Sequence, residues 1–321
     1  MNIVYSTDEK YAVHAYISIN SLLVANRSAP VISFYLISNG LSNQTQKLFN
    51  TLINSFDGPN NKRNIKIIDF ALYIKHVDGA KDCGSLSTYG RLFLQNIHEI
   101  EKALYIDCDT LVVGDLTELY ELNLNDVAVA GVQDIVSLET RNSVGLLYGD
   151  RYINAGVTLF NLNFWRKVNG QKMCLDYLNS CNGDVPFHDQ GCINSVFKNN
   201  IKIIHPKYNL MNVMLDLSAP KICAFYKIEN YYSKDEINEA RNDSRIIHFT
   251  AGNFIRPWYS NSNHPYSKIY KRYRKISPWK DEKMPKFKGK KSIYDRFVHF
   301  LVKYCFPVYK ILNKRKKENK I

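Results

Sequence analysis

The first hundred residues alternate between short apolar runs and longer amphipathic ones, and this alternation constrains the fold more than any other feature. Asn2–Ser6, Val31–Ser38, Ile65–Asp69 and Lys102–Ile106 are apolar runs of strand length. Between them, Tyr11–Ala25, Ser42–Ser55 and Leu86–Asn96 have helical periodicity. Val127–Val132 and Val157–Asn161 read as further strands. Strands alternating with helices predict an α/β domain with a mixed or parallel sheet and helices on its faces. Ligands of such sheets bind outside the carboxyl ends of the strands.

Composition narrows the class. The chain has 321 residues, 45% hydrophobic and 23% charged, ordinary for a globular protein and long enough to bury a full core. No run of about 18 uncharged apolar residues is present, which argues against a transmembrane helix. Asp8, Glu9 and Lys10 stand where the apolar part of a secretory signal would be, so a cytoplasmic location is expected. Seven cysteines (Cys83, Cys108, Cys174, Cys181, Cys192, Cys223, Cys305) are scattered and never spaced C-x-x-C. That pattern predicts packed thiols rather than a disulfide framework or a cysteine zinc site.

The net charge of +13 is unevenly placed. Residues 268–321 carry 19 Lys+Arg against 4 Asp+Glu, whereas residues 1–267 carry 24 against 26. A protein that reads nucleic acid usually bears its basic footprint on the folded domain, so an appended charge argues against that partner. In this tail Ile293, Phe297, Phe300, Leu301, Tyr304, Val308, Ile311 and Leu312 recur at helical spacing. Lys303, Lys310 and the run Lys314, Arg315, Lys316, Lys317 frame that stripe, and Pro307 is expected to kink or end the helix. A basic amphipathic segment of this kind suits the surface of an anionic membrane, where each cation contributes roughly 1 kcal/mol. The plainer alternative is one apolar stripe packing on its own domain. The expected division is a body over 1–267 and a basic, aromatic-rich tail over 268–321.

The densest chemistry follows the fourth strand, in Ala103-Leu-Tyr-Ile-Asp107-Cys-Asp109. Alternate residues of an extended chain point to one side, so both carboxylates can approach a single cation. Oxygen ligands suit a divalent metal, and bridging phosphates is the commonest use of one. Aspartates abound in loops, and it is the preceding apolar strand that singles out this pair. Phe187-His-Asp189-Gln190 sets a carboxylate and an amide before an apolar helical stretch. Asn154-Ala155-Gly156 precedes a strand, with small residues that permit close backbone approach to a ligand. Ile246-Ile-His248 leads through Gly252 to Arg256-Pro-Trp258, offering an imidazole, a flexible turn and a permanent cation for phosphate. A lone histidine after an apolar pair is more often structural, so His248 gains weight only from the set.

Taken together and in order, these segments resemble glycosyltransferase family 8, retaining transferases of nucleotide-activated sugars. The likeness runs from Asn2 to about Trp258. It is carried by Ile3-Val-Tyr-Ser-Thr-Asp8-Glu-Lys-Tyr11, Ser87-Thr-Tyr-Gly-Arg91-Leu and Leu104-Tyr-Ile-Asp107-Cys-Asp109, and by Tyr152-Ile-Asn154-Ala-Gly156-Val, Asp189-Gln190 and His248…Gly252…Arg256-Pro-Trp258. The chain resembles in particular the lipooligosaccharide galactosyltransferase branch, whose members also end in a basic, aromatic-rich tail.

The resemblance implies a single Rossmann-like, nucleotide-sugar-binding domain of the GT-A type. It implies transfer of galactose or glucose from a UDP-sugar to a saccharide acceptor, in surface-glycan synthesis at the inner face of the membrane. Asp107, Asp109 and His248 would hold manganese, with magnesium as the alternative. Asp8, Tyr11, Cys108, Gly252 and Arg256 would bind the nucleotide. Arg91, Asp107, Asn154, Ala155, Asp189 and Gln190 would bind the donor sugar, Gln190 and Asp189 lying at the reacting centre, and Asp134 would touch the acceptor. Arg256 departs from the family's usual lysine and lies two residues farther on. Retention can proceed with the departing phosphate accepting the acceptor's proton, or through a covalent intermediate. Two alternatives of other kinds are a glycogenin-like self-glucosylating protein and a non-catalytic membrane-bound nucleotide-sugar sensor. The intact Asp107, Asp109 and Gln190 weigh against the sensor.

Overall fold

The structure is a computed structural model and describes residues 1–74, 86–147, 149–228, 230–289 and 293–318. Cys83 lies outside the described residues. Among the described residues the strands are β1 (Asn2–Asp8), β2 (Val31–Asn39), β3 (Lys62–Asp69), β4 (Lys102–Ile106), β5 (Thr110–Val112), β6 (Val129–Gln133), β7 (Ile153–Asn161), β8 (Ile201–Ile203), β9 (Leu210–Met211) and β10 (Ile246–His248). Seven form a sheet in the order β3-β2-β1-β4-β7-β6-β8, and three form a small sheet, β5-β10-β9. In the large sheet β3, β2, β1 and β4 pair in parallel, and β7 runs antiparallel to both β4 and β6. The sheet is mixed, one of the two forms that the alternation left open.

β1 shows why helices must cover both faces. Ile3 and Tyr5 enter one core and Val4 the other, because successive strand side chains point to opposite faces. A strand apolar at every position therefore needs cover on both sides. On one face lie α1 (Ala12–Ala25), α2 (Asn43–Asn54) and the small sheet. On the other lie the 3₁₀ helix Leu86–Asn96, Trp165, and the helix Asp189–Val196. The α2 helix opens on Ser42, whose hydroxyl accepts from the Thr45 amide at 3.1 Å, a cap that contributes about 1 kcal/mol.

The strand order decides where a ligand can sit. β2 lies on one side of β1 and β4 on the other, so the order reverses between β1 and β4 and leaves a crevice beyond their carboxyl ends. Because β7 is antiparallel, its first residues return to that same edge, where the Asp107 amide donates to Gly156 O at 2.7 Å. β7 begins at Ile153, so Asn154–Gly156 lie inside the strand and not ahead of it.

Past residue 267 the chain continues to pack. The helix Ser267–Lys275 buries Tyr270 in the main core, its hydroxyl 2.6 Å from His14 Nδ1, and Trp279 packs edge-on against Tyr16. Two more helices follow, Ile293–Tyr304 and Phe306–Glu318. The break falls at Cys305, and Pro307 stands in the first turn of the second helix, where its missing N–H is harmless. The first of these helices seats Val302 against Leu217 and Ile222. Of the apolar stripe marked by spacing, Leu301 is buried, whereas Phe297, Phe300, Tyr304, Val308, Ile311 and Leu312 are exposed. The side chains of Ile293 and of Lys314, Arg315, Lys316 and Lys317 are outside those described. No helix among the described residues is long and apolar enough to cross a membrane. The six described cysteines are free thiols.

Candidate active site

Cys108 turns inward, its Sγ donating to Ser6 O at 3.2 Å, and burial pushes the thiol far above its ordinary value. Its neighbours Asp107 and Asp109 are thereby turned outward together. His248 ends β10, which pairs antiparallel with β5 so that His248 stands opposite Thr110. This places His248 Nε2 3.1 Å from Asp109 Oδ1 and 3.9 Å from Asp107 Oδ2. One ligand atom from each of the three residues lies within 4.8 Å of the others.

The imidazole is held from behind. Its Nδ1 faces Asn209 Oδ1 at 3.0 Å, and Asn209 Nδ2 donates to Asn154 Oδ1 at 2.9 Å. An amide oxygen only accepts, so Nδ1 carries a proton and Nε2 is aimed at the carboxylates, the arrangement by which a second layer orients a metal-binding histidine. Burial disfavours charge on His248, yet Asp109 and Asp107 outweigh it and raise the imidazole above its ordinary value. Burial likewise opposes charge on Asp109, but His248 and Arg256 hold the carboxyl below its ordinary value. The point between these groups attracts positive charge. Two carboxylates and one oriented imidazole fit a divalent cation.

Gly156 makes this convergence possible. A Cβ there would stand 2.3 Å from His248 Cε1 and 2.5 Å from Asp107 Oδ2. The small residue serves the approach of these two side chains to β7, where the sequence suggested approach to a ligand.

Arg91, 5% exposed, organises the other side of Asp107. Its Nη2 donates to Asp107 Oδ1 at 2.8 Å, its Nη1 donates to Ala155 O, and its Nε lies 2.7 Å from Asp189 Oδ2. The guanidinium also stacks 4.2 Å from the Tyr105 ring centroid. Burial opposes its charge, but Asp107 and Asp189 outweigh burial and hold it protonated. For Asp189 burial dominates over the pull of Arg91, and its carboxyl is pushed up to about 7. Gln190 is fixed at both ends. Its Oε1 accepts from the Ala155 amide at 2.9 Å, and its Nε2 donates to Asp134 Oδ2 at 2.9 Å. Asn154 Nδ2 donates to the same Asp134 oxygen at 3.0 Å, so Asp134, Gln190, Asn154, Asn209 and His248 form one hydrogen-bonded chain.

A cleft of about 470 Å³ opens over these groups. Of the residues singled out in the sequence, Asp8, Tyr11, Arg91, Asp107, Cys108, Asp109 and Arg256 line it. Asp8 Oδ1 accepts from the Tyr11 amide at 2.9 Å, and Tyr11 is 41% exposed. Arg256 reaches the cleft despite its displaced position, with Nη2 3.7 Å from Asp109 Oδ2 and its guanidinium 5.2 Å from the Trp258 ring centroid. His248, Asn154, Ala155, Asp189, Gln190 and Asp134 are joined to the cleft wall by the contacts above. Gly252 is exposed and sits against Asn212, outside the residues that line the cleft. Sequence reasoning gave no role to Ser6, Thr7, Lys10, Ser87, Thr88 and Tyr105 on the wall, although all six lie inside the quoted motifs. It also missed Asn209, which no local motif marks; only the pairing of β9 with β10 brings it to His248.

The profile of glycosyl transferase family 8 matches residues 2–262. The chain belongs to glycosyl transferase family 8. The General stress protein A of Bacillus subtilis is 26% identical over 288 residues, covering 87% of this chain and 94% of the relative. A lipopolysaccharide 1,2-glucosyltransferase of Escherichia coli is 26% identical over 317 residues, covering 95% of this chain and 87% of the relative. The solved structure of the galactosyltransferase LgtC with donor and acceptor sugar analogs has a TM-score of 0.67 at 23% identity, over 87% of this chain and 96% of that one. That likeness gives the GT-A fold. This family 8 glycosyltransferase thus carries an Asp-x-Asp pair and a histidine placed for a metal, at the switch point of its sheet.

Proposed function

We propose that this chain moves a hexose, galactose or glucose, from a UDP-sugar to a saccharide hydroxyl with retention at the anomeric carbon. The reading rests on one observation: Asp107, Asp109 and His248 converge at the edge of a cleft that also presents Arg256 and Tyr11. Those three residues would hold the cation, and a mixed oxygen–nitrogen set suits manganese better than magnesium. When bound, the cation neutralises charge on the departing diphosphate. Arg256 adds a fixed positive charge on the same side, help of the kind that is usually the largest catalytic contribution. Asp8, Tyr11 and the backbone at Cys108 receive the nucleoside, and Gly252 shapes the turn beside Arg256. Arg91, Asn154 and Ala155 fix the donor-sugar wall.

Asp189 and Gln190 then divide the work at the sugar. Asp189 is 2% exposed and paired with Arg91, so its part is to hold that guanidinium. Gln190 is only half-buried, and to its side chain rather than to that of Asp189 we assign the stabilisation of positive charge developing on the ring. Asp134, tied to Gln190, stands on the acceptor side. The acceptor is a lipopolysaccharide-type glycan, by analogy with the Escherichia coli relative. The exposed Phe297, Phe300 and Tyr304 of the tail are the surface we assign to an anionic leaflet, at the inner face of the membrane.

Turnover of UDP-Gal, UDP-Glc, UDP-GlcNAc and a GDP-sugar, with and without Mn²⁺, tests the reading. Manganese-dependent turnover of one UDP-hexose is expected. A folded protein that binds none of them refutes it, and label appearing on the protein itself would point to self-glucosylation.

A further inference from the structure

The short helix Asn212–Asp216 lies between the tail and the segment that runs from His248 to Arg256. It grips that segment at both ends. Asn212 Nδ2 donates to Thr250 O at 2.6 Å, and the Asn212 amide donates to Thr250 Oγ1 at 3.2 Å. At the far end Asp216 Oδ2 accepts from Asn253 Nδ2 at 2.7 Å.

The same carboxylate faces the tail helix Ile293–Tyr304. His299 Nε2 lies 2.5 Å from Asp216 Oδ2, and Lys303 Nζ lies 2.5 Å from Oδ1. These two side chains are four residues apart and so lie on one face of the helix. The Asp216 side chain is 2% exposed, and a carboxylate so deeply placed is costly unless paired. Its neighbours thus come from two separate segments, one bearing the tail and one bearing Arg256.

We propose that Asp216 is a positioning residue that couples seating of the tail helix to the placement of Thr250–Arg256, and so of the Arg256 guanidinium in the cleft. The proposal rests on the reading of that segment as the diphosphate side of the site. With the tail seated, Lys303 holds Oδ1 of Asp216, and His299 shares Oδ2 with Asn253, so the carboxylate stays partnered where it fixes Asn253. With the tail displaced, an unpaired carboxylate must reach water, and the Asn253 contact goes with it. Linkage is reciprocal: whatever holds the tail helix in its seat favours the ordered segment, and whatever orders the segment favours the seat.

The test uses the full chain with His299→Gln and Lys303→Met combined, followed by Asp216→Asn in that background. Hydrogen exchange of amides 249–256 is read alongside affinity for UDP with Mn²⁺ and the donor KM and kcat. The double variant should exchange faster across 249–256, weaken UDP binding roughly fivefold or more, and raise KM with little change in kcat. Asp216→Asn should restore protection and affinity in the double variant, because it removes the stranded charge while keeping an acceptor for Asn253. Faster exchange confined to the tail, with 249–256 and UDP affinity as in the wild type, overturns the proposal. So does the absence of rescue. If the wild type itself binds no UDP, the functional reading fails, while the exchange data still decide the coupling.

Discussion

Replacing Gly156 by alanine adds one methyl group where β7 passes His248 and Asp107. The new Cβ would lie 2.3 Å from His248 Cε1, 2.5 Å from Asp107 Oδ2 and 3.0 Å from Asn154 Oδ1. Ordinary contact begins near 3.4 Å, so the first two groups must retreat by about 1 Å. Neither has slack: His248 is tied to Asn209, and Asp107 to Arg91. The backbone raises no objection, since Gly156 is not among the glycines with positive φ, and alanine there even restricts the unfolded chain by about 0.4–1 kcal/mol. Overpacking costs about 1–3 kcal/mol, so the net loss of stability should be modest. The effect on function should be larger, since a shift of about 1 Å can lower the rate roughly 100-fold. Disturbing what orients a metal ligand typically lowers metal affinity about 10- to 100-fold. Calorimetric titration with Mn²⁺, UDP-sugar turnover and a thermal melt measure all three. A Gly156→Ala protein that binds Mn²⁺ and turns over within a factor of about two of the wild type would refute the reasoning, because the predicted losses of about 10- to 100-fold are far larger than that tolerance.

Asp109→Ala should abolish Mn²⁺-dependent transfer while the far-UV circular dichroism stays unchanged; a folded variant with full activity would remove Asp109 from the metal site. Asp107→Ala should lose activity and also melt earlier, since buried Arg91 would keep only Asp189 as a carboxylate partner. Burial pushes His264 down to about 4; its Nδ1 accepts from the Tyr266 amide at 3.1 Å, and its Nε2 faces Asn212 Oδ1 at 2.7 Å. The folded value lies below the unfolded one of about 6.5, so its stabilisation is complete above pH 6.5 and is lost as pH falls toward 4, by at most about 1.4 kcal/mol per pH unit. Urea unfolding at pH 7 and pH 5 should show a smaller acid penalty for His264→Gln than for the wild type, and equal penalties would contradict the assignment. Substituting Phe297, Phe300 and Tyr304 together by serine should release the protein from anionic vesicles without lowering transfer to a soluble acceptor; continued sedimentation with vesicles would dismiss the tail as the membrane contact.

What the sequence alone determined is local and periodic. Apolar runs at strand length and helical spacing set the elements of the first hundred residues, because side-chain direction follows directly from the repeat of each backbone form. Asp107 and Asp109 were readable for the same reason, two residues apart at the end of an apolar strand. Tertiary structure decided everything that depends on pairing distant segments. His248 becomes a partner of Asp109, 139 residues away, only because β10 pairs with β5. Asn209 becomes its orienting group only because β9 lies beside β10. The antiparallel direction of β7 turned Asn154–Gly156 from a supposed lead-in loop into the wall of the site. The tail divided in the same way: spacing marked an apolar stripe, but which side chains pack and which face solvent was settled by Leu217, Ile222 and Asp216, residues some eighty positions earlier that no periodicity in the tail itself encodes.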